Sequence, residues 1–128
     1  MVENKKKVVC VEDEPDIIEL IRLILERKGF DMFSAIGGQA GIDLIRQLKP
    51  DLVLLDLMMP EMDGWEMYQQ MKADPELKKI PVIVVTARVR SIDKDLGRYI
   101  AKVDDYVTKP FGPHELLHSV EHVLGARA

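Results

Sequence analysis

A chain of 128 residues and 14.6 kDa has room for one ordinary domain and needs no disulfide bond to build a core. Its 47% hydrophobic content argues against disorder, and its net charge of −4 lacks the basic excess of a nucleic-acid-binding domain. No apolar stretch reaches the ~18 residues of a membrane span, and the single cysteine, Cys10, has no internal partner. We therefore expect one domain, residues 1–128, that is soluble and cytoplasmic and contacts neither nucleic acid nor membrane directly.

Five short segments are predicted to be β-strands. Three are continuous apolar runs rich in valine, as is typical of strands covered on both faces of a parallel sheet: Val8–Val11, Leu52–Leu55 and Val82–Val85. Two weaker candidates, Asp31–Ala35 and Tyr106–Thr108, are assigned more by their place in the alternation of strand and helix than by their composition.

Helical patterns follow each of these strands, with apolar residues at spacings of three and four. The five predicted apolar faces are Ile17, Ile18, Ile21, Ile24 and Leu25; Ala40, Leu44, Ile45 and Leu48; Met67, Tyr68 and Met71; Ile92, Leu96, Tyr99, Ile100 and Val103; and Leu116, Leu117, Val120, Val123 and Leu124. The first helix is bounded by Pro15 and Gly29, the second ends before Pro50, and the fifth begins at Pro113. Five repeats of strand and helix predict an α/β fold in which helices cover both faces of a parallel sheet.

Polar residues end the predicted strands, at the edge where open α/β sheets bind ligands. The first strand ends in Glu12, Asp13 and Glu14, the third in Asp56, the fourth in Thr86 and the fifth in Lys109. Carboxylates ~5 Å apart repel by roughly 3 kcal/mol at an effective dielectric of ~20, so such a cluster takes up protons or a cation. Because no histidine or cysteine ends a strand, oxygen ligands favour a hard divalent ion such as Mg²⁺.

Glycine-rich phosphate-binding motifs and a phosphatase motif fit the chain less well than this acidic cluster does. The glycines at residues 37, 38 and 41 do not form GxGxxG, they follow the second strand, and the chain has no GxxxxGK[ST]. Gly37 and Gly38 are predicted to form a turn into the second helix. A phosphatase of the dehalogenase type would carry Asp-x-Asp after its first strand, where this chain has the adjacent pair Glu12-Asp13.

Four motifs in order resemble the receiver domain of two-component response regulators, over essentially the whole chain. They are residues 9–15 (VCVEDEP), 54–64 (LLDLMMPEMDG), 81–87 (PVIVVTA) and 104–111 (DDYVTKPF). The resemblance is to a chemotaxis-type, single-domain receiver. It implies a flavodoxin-like, doubly wound (βα)5 fold with a five-stranded parallel sheet in the order 2-1-3-4-5. It also implies a cis peptide bond between Lys109 and Pro110.

The resemblance implies roles for the positions that match. Asp56 would accept a phosphoryl group, Lys109 would pair with the phosphoryl oxygens, and Thr86 would donate its hydroxyl to them. Movement of Thr86 would make room for the ring of Tyr106, the aromatic switch residue, which would be buried behind it.

A metal site is implied at the same edge. Asp13 and Asp56 would bind Mg²⁺ through their side chains, Met58 through its backbone carbonyl, and Glu12 mostly through a water molecule; Mn²⁺ could substitute. Glu12 replaces the aspartate that the family more often has, so its longer side chain is expected to alter the affinity for the metal.

Three further departures from the family pattern bear on the site and on the turn before the fifth strand. Met58 and Arg88, two residues after Asp56 and Thr86, occupy positions that tune hydrolysis of the phosphoryl group in the family. Lys102-Val103 replaces the usual Gly-Ala before the fifth strand.

The function implied by the resemblance is a phosphorylation-controlled switch. It would take a phosphoryl group from a phosphohistidine on a histidine kinase or histidine phosphotransfer protein. It would catalyse its own phosphorylation and dephosphorylation without independent substrate turnover, and would contact a downstream protein through the fourth helix, fifth strand and fifth helix. A pseudo-receiver without phosphorylation and, with less support, an aspartyl-phosphate phosphatase remain alternatives, and the chain could be the isolated receiver of a longer protein.

Three histidines recur every four residues in the fifth predicted helix: His114, His118 and His122. At ~100° per residue they span an arc of about 80°, nearly opposite the apolar face of that helix. We expect them to be exposed together on a solvated face. The pattern also suits a Zn²⁺ or Ni²⁺ site or a pH-sensitive partner surface.

Overall fold

A five-stranded parallel sheet with helices on both faces forms the centre of the molecule. The computed structural model describes residues 5–57, 64–87 and 102–126. The strands are β1 (Lys7–Val11), β2 (Asp31–Ala35), β3 (Leu52–Leu55), β4 (Val82–Ala87) and β5 (Asp105–Lys109). Every neighbouring pair is parallel, and the order β2-β1-β3-β4-β5 confirms the predicted topology.

Four helices lie within the described ranges: α1 (Pro15–Arg27), α2 (Gly38–Leu48), α3 (Gly64–Ala73) and the C-terminal helix (Pro113–Ala126). The predicted boundaries of α1 are confirmed: it has proline in its first turn, and Gly29 just beyond its end has a φ of 88°, which suits glycine. Among the described residues, every helix is too short or too polar to cross a membrane.

The fourth predicted helix cannot be compared over most of its length, because residues 88–101 lie outside the described residues. Its last predicted residue, Val103, lies in a bend, so this end of the prediction was wrong. The chain here is already pairing with β4: the Asp104 N–H donates to the Val82 carbonyl at 3.0 Å, and the Asp104 carboxylate accepts the Val82 N–H at 2.8 Å.

Two apolar cores lie on opposite faces of the sheet, because successive strand residues point to opposite sides. The core beneath α2 and α3 includes Val9, Val11, Ile42, Ile45, Val53, Leu55, Met67, Met71 and Val84. The core beneath α1 and the C-terminal helix includes Val8, Cys10, Ile21, Leu25, Leu52, Leu54, Ile83, Leu116 and Val120. Cys10 is buried in this second core, and burial raises the pKa of its thiol, which keeps it protonated and unreactive.

The buried face of α2 differs from the predicted one. Ala40 is exposed and Leu44 is only partly buried, whereas Gly41, Ile42 and Ile45 are buried. A Cβ atom at Gly41 would lie 2.8 Å from both methyl groups of Val11, so the helix approaches β1 closely at this glycine. A pattern of large apolar residues does not count glycine as a contact residue. The predicted buried face is therefore displaced around the helix axis from the observed one.

The register of the sheet determines where the site lies. Val11 at the end of β1 pairs with Leu55 at the end of β3, so the residues that follow both strands leave the sheet side by side. Ala87 pairs with Lys109 at the same edge. The Lys109–Pro110 peptide bond is cis, as the resemblance implied.

Candidate functional site

Three carboxylates converge at the carboxyl edge of β1 and β3. Glu12, Asp13 and Asp56 each offer an oxygen, and these oxygens lie within 4.8 Å of one another. Glu12 and Asp56 are buried, with 1% and 3% of their surface exposed, whereas Asp13 is partly exposed. The two buried residues are tied to the strands through the backbone, because the Glu12 N–H donates to Ala35 and the Asp56 N–H donates to Val11.

The ammonium of Lys109 neutralises part of this charge. Its Nζ atom lies 2.7 Å from Glu12 Oε1, 3.4 Å from Asp56 Oδ2 and 3.6 Å from Glu14 Oε1. Two of these partners, Glu12 and Asp56, are buried, so their interactions with Lys109 are screened less by solvent than surface ion pairs. One lysine among three clustered carboxylates leaves an excess of negative charge.

Burial and this excess of negative charge shift the pKa values of Glu12 and Lys109. Burial, with a smaller contribution from the nearby Asp56, raises the pKa of Glu12 to about 7 against the opposing effect of Lys109. Burial alone would lower the pKa of Lys109, but the hydrogen bond to Glu12 and the surrounding carboxylates outweigh it, so the Lys109 pKa is raised. Lys109 therefore stays protonated, while Glu12 holds a proton into the neutral pH range.

The hydroxyl of Thr86 is buried near the end of β4, the strand next to β3. Within the described part of the chain, its Oγ1 atom has no hydrogen-bond partner. A buried polar group left without a partner costs about 1–3 kcal/mol. A hydroxyl at this position is therefore able to accept or donate a bond to a group that enters the site.

The first residue of α3 holds the backbone of Asp56 in place. The Gly64 N–H donates to the Leu57 carbonyl at 3.2 Å, and a Cβ at residue 64 would overlap the Asp56 carbonyl oxygen. Only glycine allows this approach. Trp65 follows in the same helical turn and stacks on Tyr68, with 4.7 Å between the ring centroids.

The structure brings together most of the residues that the sequence singled out. Met58 and Arg88 lie outside the described residues. Tyr106 is 51% exposed and alternates along β5, an edge strand, with the buried Val107; burial of its ring after a movement of Thr86 stays a prediction.

Two contributors were missed at the sequence level. Glu14 was quoted with the acidic residues but received no role, and its carboxylate is the third partner of Lys109. Gly64 was noted only as the last residue of the second motif, and its close approach to the Asp56 backbone was not predicted. The sequence signal for that approach is a glycine at the start of the helix that follows the acidic end of β3.

Comparison with known proteins identifies the family. Residues 8–121 match the response regulator receiver domain. The chain belongs to the response regulator receiver family. Receiver domains in general bind Mg²⁺, take part in two-component signalling through an aspartyl phosphate switch, and interact with a kinase or phosphotransfer protein and with downstream partners.

Solved receiver structures support the assignment. The receiver domain of a signal transduction histidine kinase from Syntrophus aciditrophicus is 31% identical, with 94% of this chain and 91% of that chain covered and a TM-score of 0.84. The N-terminal domain of a response regulator receiver protein from Methanoculleus marisnigri JR1 is 36% identical, with coverages of 94% and 98% and a TM-score of 0.75. The chemotaxis protein CheY4 of Vibrio cholerae, 23% identical over 94% and 99%, has the same fold with a TM-score of 0.84.

The acidic cluster of this receiver has the donor set that Mg²⁺ prefers. Its ligand atoms are all carboxylate oxygens, and Asp13 is open to water that would complete the coordination. The cluster of Glu12, Asp13 and Asp56 could therefore hold a metal ion.

Millimolar Mg²⁺ is expected to change the fluorescence of Trp65, because α3 begins against the backbone of Asp56. Asp13→Ala should weaken Mg²⁺ binding by more than about tenfold, since losing even an outer partner of a metal ligand costs 10–100-fold. Asp16→Ala is the matched control, because Asp16 is an exposed aspartate three residues away that lies outside the cluster. Equal Mg²⁺ affinity in the two variants would remove Asp13 from the site.

Proposed function

We propose that this receiver domain is switched by phosphorylation of Asp56, with a phosphohistidine of a histidine kinase or histidine phosphotransfer protein as donor. The observation that carries the proposal is the buried Asp56 carboxylate, with the Lys109 ammonium 3.4 Å away and two further carboxylates beside it. A carboxylate is able to form a covalent aspartyl phosphate. Phosphoryl transfer requires mainly in-line positioning and neutralisation of negative charge, and Lys109 supplies part of the positive charge.

In the proposed reaction, an Asp56 oxygen forms a bond to phosphorus while the bond from phosphorus to the donor imidazole breaks, and the imidazole leaves with the electron pair. Lys109 turns from Glu12 toward the transferred oxygens as a compact positive charge. Asp13 and Asp56 would hold a Mg²⁺ ion, which would supply further positive charge at the site. Thr86 donates its hydroxyl to one of the transferred oxygens, which gives a partner to a buried group that has none among the residues the structure describes.

The output we propose is contact with a downstream protein rather than with nucleic acid. The net charge of −4 supports a protein partner. The contact surface is formed by β5 and the C-terminal helix together with the predicted fourth helix. Tyr106 lies on this surface with half of its side chain exposed, where a change in its burial on phosphorylation would alter the surface that a partner meets.

Phosphorylation from a small-molecule donor tests the proposal directly. With acetyl phosphate and Mg²⁺, intact-mass spectrometry should detect one labile phosphoryl adduct, because the protein itself supplies the positioning and the charge. Asp56→Asn should abolish the adduct. Asp51→Asn is the control, because Asp51 is an exposed aspartate just before the same strand.

The other outcomes identify the alternatives. No adduct in the wild-type protein would support a pseudo-receiver, and steady turnover of a generic phosphomonoester would support a phosphatase. An adduct of unchanged yield in Asp56→Asn would place the phosphoacceptor at another residue.

A further inference from the structure

The C-terminal helix presents a row of exposed imidazoles that the receiver chemistry does not use. His114, His118 and His122 are all exposed, as their spacing predicted. We propose that His118 and His122 bind one late transition-metal ion, of the class Zn²⁺, Ni²⁺ or Cu²⁺. This site is separate from the acidic cluster and does not depend on the proposed phosphorylation.

The geometry of the pair suits chelation. The rings of His118 and His122 are nearly parallel, with an interplanar angle of 11° and centroids 6.2 Å apart. Residues four apart on a helix lie one above the other on the same face. On a tetrahedral ion, two nitrogens at ~2.0–2.1 Å from the metal stand about 3.3 Å apart, which exposed rings on one helix face reach by side-chain rotation.

Ring geometry singles out the pair His118 and His122, because among the described residues theirs are the histidine rings that stack on each other. A groove of about 530 Å³ beside them is lined by Lys28, His114, Glu115, Leu117, His118 and Glu121. The two carboxylates at this groove offset the Lys28 ammonium, so His118 faces surroundings that accept a cation.

Two carboxylates near His118 add negative charge that favours a bound cation. Glu115 and Glu121 are exposed and lie three residues on either side of His118. Side chains three apart on a helix are neighbours, so each glutamate brings negative charge near the bound ion. Glu115 accepts a hydrogen bond from the Gly112 N–H at 3.3 Å, which leaves Glu121 as the carboxylate better placed to assist.

The two sites should select different metals. Imidazole nitrogens favour Zn²⁺, Ni²⁺ and Cu²⁺, whereas an all-oxygen cluster favours Mg²⁺. Among the described residues, the acidic cluster is the one place where three ligand atoms already lie together, so the histidine pair acts as a two-ligand site completed by water or by Glu121.

The test is a Zn²⁺ titration of the folded protein in excess Mg²⁺, followed by calorimetry and by nitrogen NMR of the imidazole rings. Binding through two imidazoles makes the second contact intramolecular, so His118→Gln and His122→Gln should each weaken it by about 100-fold or more. His114→Gln is the matched control, because it removes the same side chain from the same helix, and it should bind Zn²⁺ as the wild type does. The Asp13→Ala background should retain the histidine-dependent binding, which separates it from metal held by the acidic cluster.

The expected spectra show the rings of His118 and His122 shifting at one equivalent of Zn²⁺, with His114 unshifted. Unchanged affinity in His118→Gln or His122→Gln would overturn the proposal. So would an equal loss in His114→Gln, which would place the ion at the groove beside Lys28.

Discussion

Gly64→Ala should destabilise the folded protein by about 3 kcal/mol, near the upper end of the usual cost of overpacking. The added methyl group would overlap the carbonyl oxygen of Asp56 and lie 2.7 Å from the Cα atom of Leu57. Both atoms belong to the backbone, so no side-chain rotation relieves the overlap. The chain must move either the start of α3 or the segment that carries Asp56, and the second movement should also weaken Mg²⁺ binding.

Two other glycines provide a graded comparison by urea denaturation. Gly125→Ala meets no atom within 4 Å and lies in the C-terminal helix, so it should be neutral or stabilise by about 0.5–1 kcal/mol. Gly41→Ala meets only side chains, the Val11 methyls at 2.8 Å and the Met67 sulfur at 3.2 Å, and should fall between the two. If Gly64→Ala proved as stable as Gly125→Ala, the close approach of α3 to Asp56 would be wrong.

The fold was predictable because its signals are local. Runs such as Val82–Val85 identify strands buried on both faces, and Pro15 and Gly29 bound a helix whatever it packs against. The resemblance then supplied the strand order, which the structure confirms. The buried face of α2 was less predictable, since the contact at Gly41 depends on a strand thirty residues earlier.

The residues that form the site were predictable, but the ion pairs among them were not. Parallel strands bring their carboxyl ends to one edge, which is why Glu12, Asp56 and Lys109 were expected to meet there. Nothing in the sequence indicates which carboxylate lies nearest Lys109. The structure shows that it is Glu12, at 2.7 Å, with Asp56 further away. The exposure of Tyr106 was likewise unpredictable, because the sequence does not show which residues of the edge strand β5 are covered by another element.

The pairing of Glu12 has a consequence for stability that depends on pH. In the metal-free protein the pKa of Glu12 is about 7, above its ordinary value of 4.5, mainly because burial disfavours the charged form. A group that binds its proton more tightly in the folded state stabilises that state fully at low pH. The contribution is lost as the pH rises from the unfolded-state pKa through the folded-state pKa, so wild-type stability should fall between about pH 5 and pH 7.

Glu12→Gln should remove this fall, because glutamine has the shape of the protonated acid and cannot ionise. The difference in unfolding free energy between the variant and the wild type should therefore move in favour of the variant by up to about 3 kcal/mol between pH 5 and pH 8, at 1.36 kcal/mol per pKa unit. Urea denaturation in the presence of a chelator measures it at each pH. Glu14→Gln is the control, because this carboxylate also lies near Lys109 but its side chain is 60% exposed, so solvent screens its interactions. A difference between Glu12→Gln and wild type that stays constant across this pH range would show that Glu12 is ionised throughout, and that Lys109 compensates for its burial.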